Sequence, residues 1–221
     1  MPQPNPSDTL CMTWYFDFIS PFAYFQHRAL LAKLKNQQVT LNYRPVLLAG
    51  LLKHWQQLGP AEIPAKRTMT YQYCHWYAQQ HDIPFKVPPA HPFNPLSVLR
   101  LAIASHCSPD AITAIFDAIW GQGLDLSNPI HWQDLITQNQ LTNPQAHLGE
   151  QWVKDTLRSN TEHAAEKGVF GVPTLAVHNK LFWGYDMTQM AFDYLNTPDL
   201  FNDPEYQRME QLPIGQARKT A

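Results

Sequence analysis

Apolar residues near the N-terminus follow a strand–helix–strand order. Residues 12–18 carry bulky aromatic side chains and end at Asp17-Phe18-Ile19-Ser20, which predicts a central strand that passes directly into a helix. Ser20 is the expected helix cap and Pro21 the first helical residue. Residues 37–45 alternate between apolar and polar positions and predict a second strand, so this part of the chain is expected to form a βαβ unit.

The middle of the chain has helical patterns instead. In residues 111–120, apolar side chains recur at i, i+3, i+4, i+7 and i+8, and Gly121 and Gly123 follow to end the helix. Capping residues stand directly before a proline, as they do where helices begin, at four places: Ser108-Pro109, Asn128-Pro129, Asn143-Pro144 and Asn94-Pro95. Residues 51–166 are therefore expected to be an all-helical insertion.

After Lys167-Gly168 the hydrophobic pattern changes from the helical period back to that of strands. Residues 172–178, a turn at Asn179-Lys180 and residues 181–184 predict a hairpin, and residues 187–195 predict a closing helix. The order βαβ, helices, ββα is that of an α/β thioredoxin-like fold interrupted by a large all-helical insertion. The expected domains are a discontinuous thioredoxin-like domain (11–50 and 167–196), the helical insertion (51–166) and a polar, partly disordered C-terminal tail (197–221).

Composition and charge limit the possible partners. The 221 residues include 16 basic and 18 acidic side chains, and this net charge of −2 offers no electrostatic surface for nucleic acid or an anionic membrane. The first ten residues lack the basic and apolar regions of a secretory signal, so a cytoplasmic protein is expected. Cys11, Cys74 and Cys107 lack CxxC or metal-like spacing and are expected to be reduced, buried thiols; no metal site is predicted.

Ser20 stands where a thioredoxin-like protein carries its Cys-x-x-Cys pair; here the two cysteine positions are Ser20 and Ala23. A serine before proline is ordinarily a helix cap. The free N–H groups and the dipole at a helix N-terminus also favour an anion. Ser20 is therefore, as an alternative, a candidate to hold the thiolate of a ligand and to lower the pKa of that thiol.

Four further places permit both a structural and a functional interpretation. Val172-Pro173 is either an ordinary strand edge or a cis-proline whose preceding residue presents its backbone to an extended peptide. Asp186 is either a helix cap or a partner for an α-ammonium group. Lys66 and Arg67 are either solvated surface or a carboxylate site, and the segment 91–96 is either a capped loop or part of a site.

Five segments, in order along nearly the whole chain up to about Leu195, resemble the 2-hydroxychromene-2-carboxylate isomerase family. This family is related to kappa-class glutathione transferases and, more distantly, to DsbA-like disulfide oxidoreductases. The segments are FDFISPFAYF (16–25), GPAEIPAKR (59–67), HPFNPLSVLRLAIA (91–104), GVFGVPTLAV (168–177) and LFWGYDM (181–187).

The resemblance implies that glutathione binds along the thioredoxin-like domain. Ser20 would lie near the sulfur, Val172 would pair its backbone with the cysteinyl part, and Pro173 would be the cis-proline. Asp186 would help to hold the γ-glutamyl end, beside Trp183 and Tyr185. Family members commonly read Gly-(Asn/Gln/Ser)-Asp-Arg where this chain reads Gly184-Tyr185-Asp186-Met187.

The resemblance also implies a reaction, in which the glutathione thiolate adds reversibly to a 2-hydroxychromene-2-carboxylate-like aromatic catabolite and so permits cis–trans isomerisation. Lys66 and Arg67 would orient the substrate carboxylate, and Phe93 and Asn94 would contribute to the substrate pocket. The expected partners are glutathione and a small aromatic carboxylate, in a homodimer.

Two alternatives stay open: a kappa-like glutathione transferase that acts on other electrophiles, and a non-catalytic thioredoxin-like module that binds peptides or a partner chain. A disulfide oxidoreductase is disfavoured because neither Ser20 nor Ala23 can form a disulfide.

Overall fold

The computed structural model of the chain describes residues 10–35, 37–139 and 147–216. One sheet contains the strands β1 (Leu10–Phe16), β2 (Val39–Pro45), β3 (Thr174–Val177) and β4 (Lys180–Trp183), in the order β2-β1-β3-β4. β1 is parallel to β2, whereas β3 is antiparallel to both β1 and β4. This arrangement confirms the predicted α/β thioredoxin-like fold.

Helix α1 (Pro21–Leu34) connects β1 to β2, and α8 (Thr188–Asn196) follows β4. Between β2 and β3 the described residues form helices, as the sequence predicts. These helices are α2 (Leu48–His54), α3 (Pro64–Gln80), α4 (Leu96–Ala104), α5 (Pro109–Phe116), α6 (Pro129–Gln138) and α7 (Gln151–Glu166). Single 3-10 turns span Pro60–Glu62, Tyr185–Met187 and Pro198–Asn202.

The caps predicted from the Ser-Pro and Asn-Pro pairs are largely confirmed. Ser108 accepts a hydrogen bond from the Ala111 N–H, and Asn128 accepts one from the Ile130 N–H. At Asn94-Pro95 the helix begins one residue later than predicted, because Pro95 is the cap residue of α4; Asn94 still accepts a hydrogen bond from the Leu96 N–H. The fourth predicted start, Asn143-Pro144, lies outside the described residues.

The ends of the strands differ from the prediction by one or two residues. β1 stops at Phe16 because the chain turns at Asp17, whose carbonyl oxygen accepts a hydrogen bond from the Ser20 N–H at 3.1 Å. β3 starts at Thr174, since Pro173 has no N–H to donate to a neighbouring strand. The hairpin turn lies at His178-Asn179, one residue earlier than predicted, with His178 at a φ of 50°.

Two helical segments also differ from the prediction. The helix expected over residues 111–120 is α-helical only to Phe116 and continues as a π-helical turn over Asp117–Gly121. The C-terminal tail, expected to be partly disordered, is helical over residues 198–202 and in α9 (Pro204–Glu210). In the tail, the Phe201 ring lies 5.0 Å from the Tyr194 ring, an aromatic contact that its polar composition did not indicate.

The cysteines are free, as predicted, but they are not all buried. Cys74 is buried and Cys107 is half-buried, whereas Cys11 is exposed on β1. Its side chain is 2.9 Å from the Asn42 amide nitrogen of the neighbouring strand β2. The prediction of three buried thiols is therefore wrong for Cys11.

Aromatic side chains join the sheet to the inserted helices. Trp14 and Phe16 of β1 stack with ring centroids 4.3 Å apart, and the Phe116 ring of α5 lies 5.9 Å from Phe16. Phe18, just beyond β1, lies 4.6 Å from the same Phe116 ring. The carboxyl end of β1 is therefore held in a dense core, because aromatic pairs at these separations pack favourably. No helix in the described ranges is long and apolar enough to cross a membrane.

Candidate active site

Three segments that the sequence singles out meet at one edge of the sheet. Ser20 follows the carboxyl end of β1. The last pair between β1 and β3 is Tyr15 with Thr174, so the residues before Thr174 lie beside those that follow β1. Thr174 also pairs with Trp183 at the end of β4, which brings the next residues, from Gly184 onward, to the same edge.

Ser20 is the cap of α1, as predicted. Its backbone is extended, with φ −94° and ψ 117°, and its Oγ accepts a hydrogen bond from the Ala23 N–H at 3.3 Å. The residue is 7% exposed. Among the described residues, no acceptor takes the proton of the Ser20 hydroxyl, so this group remains able to donate to a ligand.

Asp17 is a buried acid at this edge of the sheet, and the sequence analysis did not identify it. It is fully buried, and its carboxylate accepts hydrogen bonds from the Ile19 N–H at 3.1 Å and the Leu48 N–H at 2.9 Å. Burial raises the pKa of Asp17 to about 7, although the hydrogen bonds from backbone N–H groups oppose this rise. The only signal in the sequence was the position of an acid between a strand and a Ser-Pro cap. The two hydrogen bonds of Asp17 connect the start of α2 to the turn before α1.

The Val172–Pro173 peptide is cis, as the resemblance implies. The Pro173 carbonyl oxygen accepts a hydrogen bond from the Gly184 N–H at 2.9 Å. Within the described ranges, neither the N–H nor the C=O of Val172 has a hydrogen-bond partner. Because unpaired strand-like groups of this kind accept an added strand, the Val172 backbone is suited to an extended peptide ligand.

Trp183 covers the chain just before the cis-proline. Its side chain is 50% exposed and its ring lies 5.0 Å from the Phe170 ring. A Cβ atom on Gly171 would lie 2.7 Å from the Trp183 Nε1, so only glycine fits under the indole in this position. From the segment after α2, the Trp55 Nε1–H donates to the Val169 carbonyl oxygen at 2.9 Å. The result is an aromatic rim around the cis-proline loop.

The corner after β4 begins at Gly184, whose φ of 99° favours glycine. Asp186 is exposed and caps no helix, because the 3-10 turn Tyr185–Met187 comes first and α8 starts only at Thr188. The interpretation of Asp186 as a helix cap is therefore wrong. Among the described residues its carboxylate has no hydrogen-bond partner.

Tyr185 closes the corner against two helices. Its ring stacks on Phe22 of α1 with centroids 5.4 Å apart, and its hydroxyl forms a hydrogen bond with the Tyr73 hydroxyl of α3. Burial is the main cause of the raised pKa of Tyr185, and the bond with Tyr73 adds to it. The phenol is therefore neutral at physiological pH, and it contributes aromatic surface and a hydroxyl rather than a charge.

The cations predicted to hold a carboxylate lie in the first turn of α3. Lys66 and Arg67 are both exposed, and in the described part of the chain neither forms an ion pair. Arg67 stands four residues before Tyr71 in α3 and so on the same face of the helix, and the Tyr71 hydroxyl lies 2.7 Å from the His91 Nδ1. The His91 Nε2 is in turn 2.7 Å from the Ile19 carbonyl oxygen, so Arg67 lies on the side of the site. No described contact links Lys66 to the segment that carries Ser20.

Of the two remaining residues predicted to line the substrate pocket, one lies near the site and the other is used at the start of a helix. The half-buried Phe93 lies 5.8 Å from the His91 ring and so on the side of the site. Asn94 is exposed and its side-chain oxygen accepts a hydrogen bond from the N–H of Leu96, the first residue of α4. His91 itself was not predicted as a site residue, although it begins the HPFNPL segment. Among the described residues, no group of His, Cys, Asp and Glu is arranged to hold a metal ion.

A mixed four-stranded sheet, a cis-proline at its edge and a helix N-terminus beside it define a thioredoxin-like protein, here without the cysteine pair. The chain belongs to the DSBA-like thioredoxin domain family, whose model matches residues 12–196.

Particular relatives agree with the motifs. The chain is 25% identical over 190 residues to a 2-hydroxychromene-2-carboxylate isomerase of Pseudomonas putida, covering 80% of this chain and 90% of that protein. It is 23% identical over 205 residues to glutathione S-transferase kappa 2 of Caenorhabditis elegans, covering 84% and 91%. A solved structure of a 2-hydroxychromene-2-carboxylate isomerase shares the fold, with a TM-score of 0.75 at 20% identity over 92% of this chain and 100% of that one. The resemblance inferred from the five segments is confirmed, and these relatives support an isomerase or transferase of the DsbA-like group.

Proposed function

We propose that this protein is a glutathione-dependent cis–trans isomerase that acts on 2-hydroxychromene-2-carboxylate-like aromatic compounds. The observation that carries the proposal is the meeting, at one edge of the sheet, of the Ser20 hydroxyl, which has a proton to donate, and the Val172 backbone, which lacks partners among the described residues. A peptide that carries a thiol needs both features: strand-like pairing for its main chain and a donor for its sulfur.

Ser20 is the proposed catalytic residue. Its hydroxyl donates to the thiolate, and the N-terminus of the 14-residue helix α1 adds a partial positive charge at the same place. Both interactions favour the thiolate over the thiol, so they lower the thiol pKa and raise the fraction of nucleophile at neutral pH. The cysteines of redox relatives are not needed for this role.

The rest of glutathione fits the neighbouring residues. Val172 pairs with the cysteinyl backbone, and Pro173 shapes the loop that presents it. Asp186, exposed and without a described hydrogen-bond partner, receives the α-ammonium group of the γ-glutamyl end. Trp183 and Tyr185 line the two sides of the tripeptide with aromatic surface.

Bound glutathione supplies a thiolate that adds reversibly to the substrate, which permits rotation about the bond that was double. The protein's part is to orient the substrate. Lys66 and Arg67 hold its carboxylate, Phe93 and Trp183 pack against its ring, and Asn94 lies beside this pocket. We further propose that the enzyme works in the reducing cytoplasm, consistent with three free cysteines, and as a homodimer.

Glutathione titration by calorimetry, combined with an ultraviolet scan for the thiolate, tests the proposal. Saturable binding with thiolate absorbance at neutral pH is expected, and Ser20→Ala should weaken that absorbance while leaving most of the affinity. Ser97→Ala, at an exposed position in α4, is the matched control and should behave like the unaltered chain. The unaltered chain with bound glutathione is also expected to convert a 2-hydroxychromene-2-carboxylate to its trans isomer. Absence of binding at millimolar glutathione would contradict the proposal and favour a non-catalytic peptide-binding module.

A kappa-like glutathione transferase is the second candidate, favoured by the similarity to glutathione S-transferase kappa 2 over 84% of the chain. The same Ser20 apparatus would activate the thiol in that enzyme. Product analysis separates the two: a transferase leaves a stable glutathione conjugate, whereas an isomerase returns free glutathione in full.

A further inference from the structure

A chain of hydrogen bonds runs from α3 to the residue before Ser20. The Tyr71 hydroxyl of α3 lies 2.7 Å from the His91 Nδ1, and the His91 Nε2 lies 2.7 Å from the Ile19 carbonyl oxygen. Ile19 directly precedes Ser20 in the sequence. Residues far apart along the chain thus converge on the peptide bond that enters the proposed active site.

The direction of each hydrogen bond follows from the chemistry of the groups. A carbonyl oxygen only accepts, so the His91 Nε2 carries the proton. Burial lowers the pKa of His91 from its ordinary value of 6.5; the hydrogen bond to Ile19 opposes this shift and the charge of Arg67 adds to it. Because the net shift is downward, the ring is neutral at neutral pH. Its Nδ1 is then an acceptor, and the Tyr71 O–H donates to it. Tyr71 therefore fixes the tautomer in which His91 donates to Ile19.

The Ile19–Ser20 peptide is held at both ends. Its carbonyl oxygen accepts from His91, and its N–H, which belongs to Ser20, donates to the Asp17 carbonyl oxygen at 3.1 Å. The preceding carbonyl, of Phe18, accepts from the Trp120 Nε1–H at 2.8 Å. The Trp120 ring lies 5.2 Å from His91, so the two donors form one packed unit. The Phe18 and Ile19 carbonyl oxygens thus each accept a hydrogen bond from a donor in the segment between β2 and β3. These two bonds fix the turn that leads into Ser20, and with it the direction of the Ser20 side chain.

We propose that His91, oriented by Tyr71, is a positioning residue that aims the Ser20 hydroxyl at the ligand's sulfur. This inference rests on the proposed function of Ser20 as the donor to a thiolate. His91 does not touch the reacting atoms; it acts through the Ile19 carbonyl. Its loss leaves the Val172 pairing intact, so it changes the activation of the thiol more than the binding of the tripeptide.

The test measures the pKa of glutathione's thiol on the protein, by the pH dependence of thiolate absorbance, in four variants. His91→Leu removes both hydrogen bonds and is expected to raise that pKa by about one unit and to lower kcat about tenfold, with little change in the KM for glutathione. In His91→Gln, the amide can donate to Ile19 and accept from Tyr71, so part of the effect should be recovered. Tyr71→Phe should fall between these two. His75→Leu, at an exposed position in α3, is the control.

Amide hydrogen exchange at Ser20 and Ala23, without any ligand, separates the two proposals. Faster exchange in His91→Leu, with recovery in His91→Gln, supports the part of the proposal that needs no ligand, namely that His91 orders the turn containing Ser20. If the unaltered chain binds no glutathione, the proposed function is overturned together with the aiming of Ser20 at a sulfur, whereas unchanged exchange in His91→Leu overturns the role of His91 itself. A low thiol pKa that is the same in all four variants overturns the role of His91 and leaves the proposed function standing. Should His91→Leu fail to fold, His91→Gln and Tyr71→Phe decide the question by the same two measurements.

Discussion

The side-chain amide of Gln26, in α1, donates a hydrogen bond to the carbonyl oxygen of Gly184 at 2.9 Å. The same amide group donates to the Thr188 hydroxyl at 3.0 Å, and its oxygen accepts from the Trp14 Nε1–H at 2.7 Å. A single buried side chain therefore joins β1, α1 and the corner that follows β4. This corner contains Tyr185 and Asp186, so the hydrogen bonds of Gln26 determine where the proposed glutamyl site lies.

Replacement of Gln26 by Leu is expected to lower the free energy of unfolding by about 2–4 kcal/mol, because the buried Trp14 N–H and the Gly184 carbonyl both lose their partner. Glutathione affinity should fall as well, since the corner is released. Gln79→Leu, at an exposed position in α3, should change stability by less than about 0.5 kcal/mol. Denaturant unfolding and calorimetry measure both effects; equal stability of the two variants would contradict the role given to Gln26.

Asp17 predicts a particular dependence of stability on pH. The ordinary pKa of 3.8 applies in the unfolded chain, and burial raises the pKa to about 7 in the folded protein. Between about pH 4 and pH 7 the folded state therefore binds more protons than the unfolded state. The contribution of Asp17 to the free energy of unfolding falls as pH rises through this window, by about 1.4 kcal/mol per pH unit, and is constant above it.

Urea unfolding at several pH values, for the unaltered chain and for Asp17→Asn, measures this slope. Asp17→Asn should lose this slope, because the amide does not titrate. Its side-chain oxygen can accept only one of the two backbone hydrogen bonds, so at pH values where Asp17 is protonated the variant should be less stable than the unaltered chain by about 1–3 kcal/mol. Asp82→Asn, at an exposed site, should keep the slope. An identical slope in Asp17→Asn would mean that another group titrates in this window.

The close approach of Gly171 to Trp183 predicts a change in binding with little change in stability. In Gly171→Ala the new Cβ would meet the indole Nε1 at 2.7 Å, and the half-exposed Trp183 ring is expected to swing outward. The stability cost should be about 1 kcal/mol or less, whereas glutathione affinity should fall severalfold. Gly149→Ala, where a Cβ meets nothing within 4 Å, is the control for both measurements. Unchanged affinity in Gly171→Ala would show that Trp183 does not line the ligand.

The two cations of α3 are predicted to act on the substrate and not on glutathione. Arg67→Gln and Lys66→Gln should each raise the KM for the carboxylate substrate, by about tenfold for Arg67, with glutathione affinity unchanged. Lys35→Gln, exposed at the end of α1, should have no effect. An unchanged KM for the substrate in both variants, measured by steady-state kinetics, would show that the substrate carboxylate does not bind at this turn of α3.

Local patterns predicted most of the fold, because strands and helix starts are encoded by neighbouring residues. Ser108-Pro109 and Asn128-Pro129 mark helix starts through contacts that span two or three residues. The prediction of Asp186 as a helix cap was wrong, and the reason is also local. The chain turns at Gly184, which has a positive φ, and enters a 3-10 turn, so the helix begins only at Thr188.

The sequence could not predict the contacts that organise the site. His91 with Ile19 and Asp17 with Leu48 join residues distant along the chain, and no spacing or propensity encodes them. They arise only once the inserted helices pack on the sheet. Ser20 was predictable as a position, whereas the groups that orient it were not.

The order of the strands has a consequence for how the protein is made. β1 pairs with β2 within a few tens of residues, but its other neighbour, β3, is synthesised roughly 160 residues later. A nascent chain on the ribosome therefore presents one side of β1, the strand of Trp14 and Phe16, as an open edge until the hairpin of residues 174–183 emerges. Open edges of apolar strands recruit other chains. A fragment truncated before Thr174 would consequently associate with itself, and the last strands to leave the ribosome protect the first.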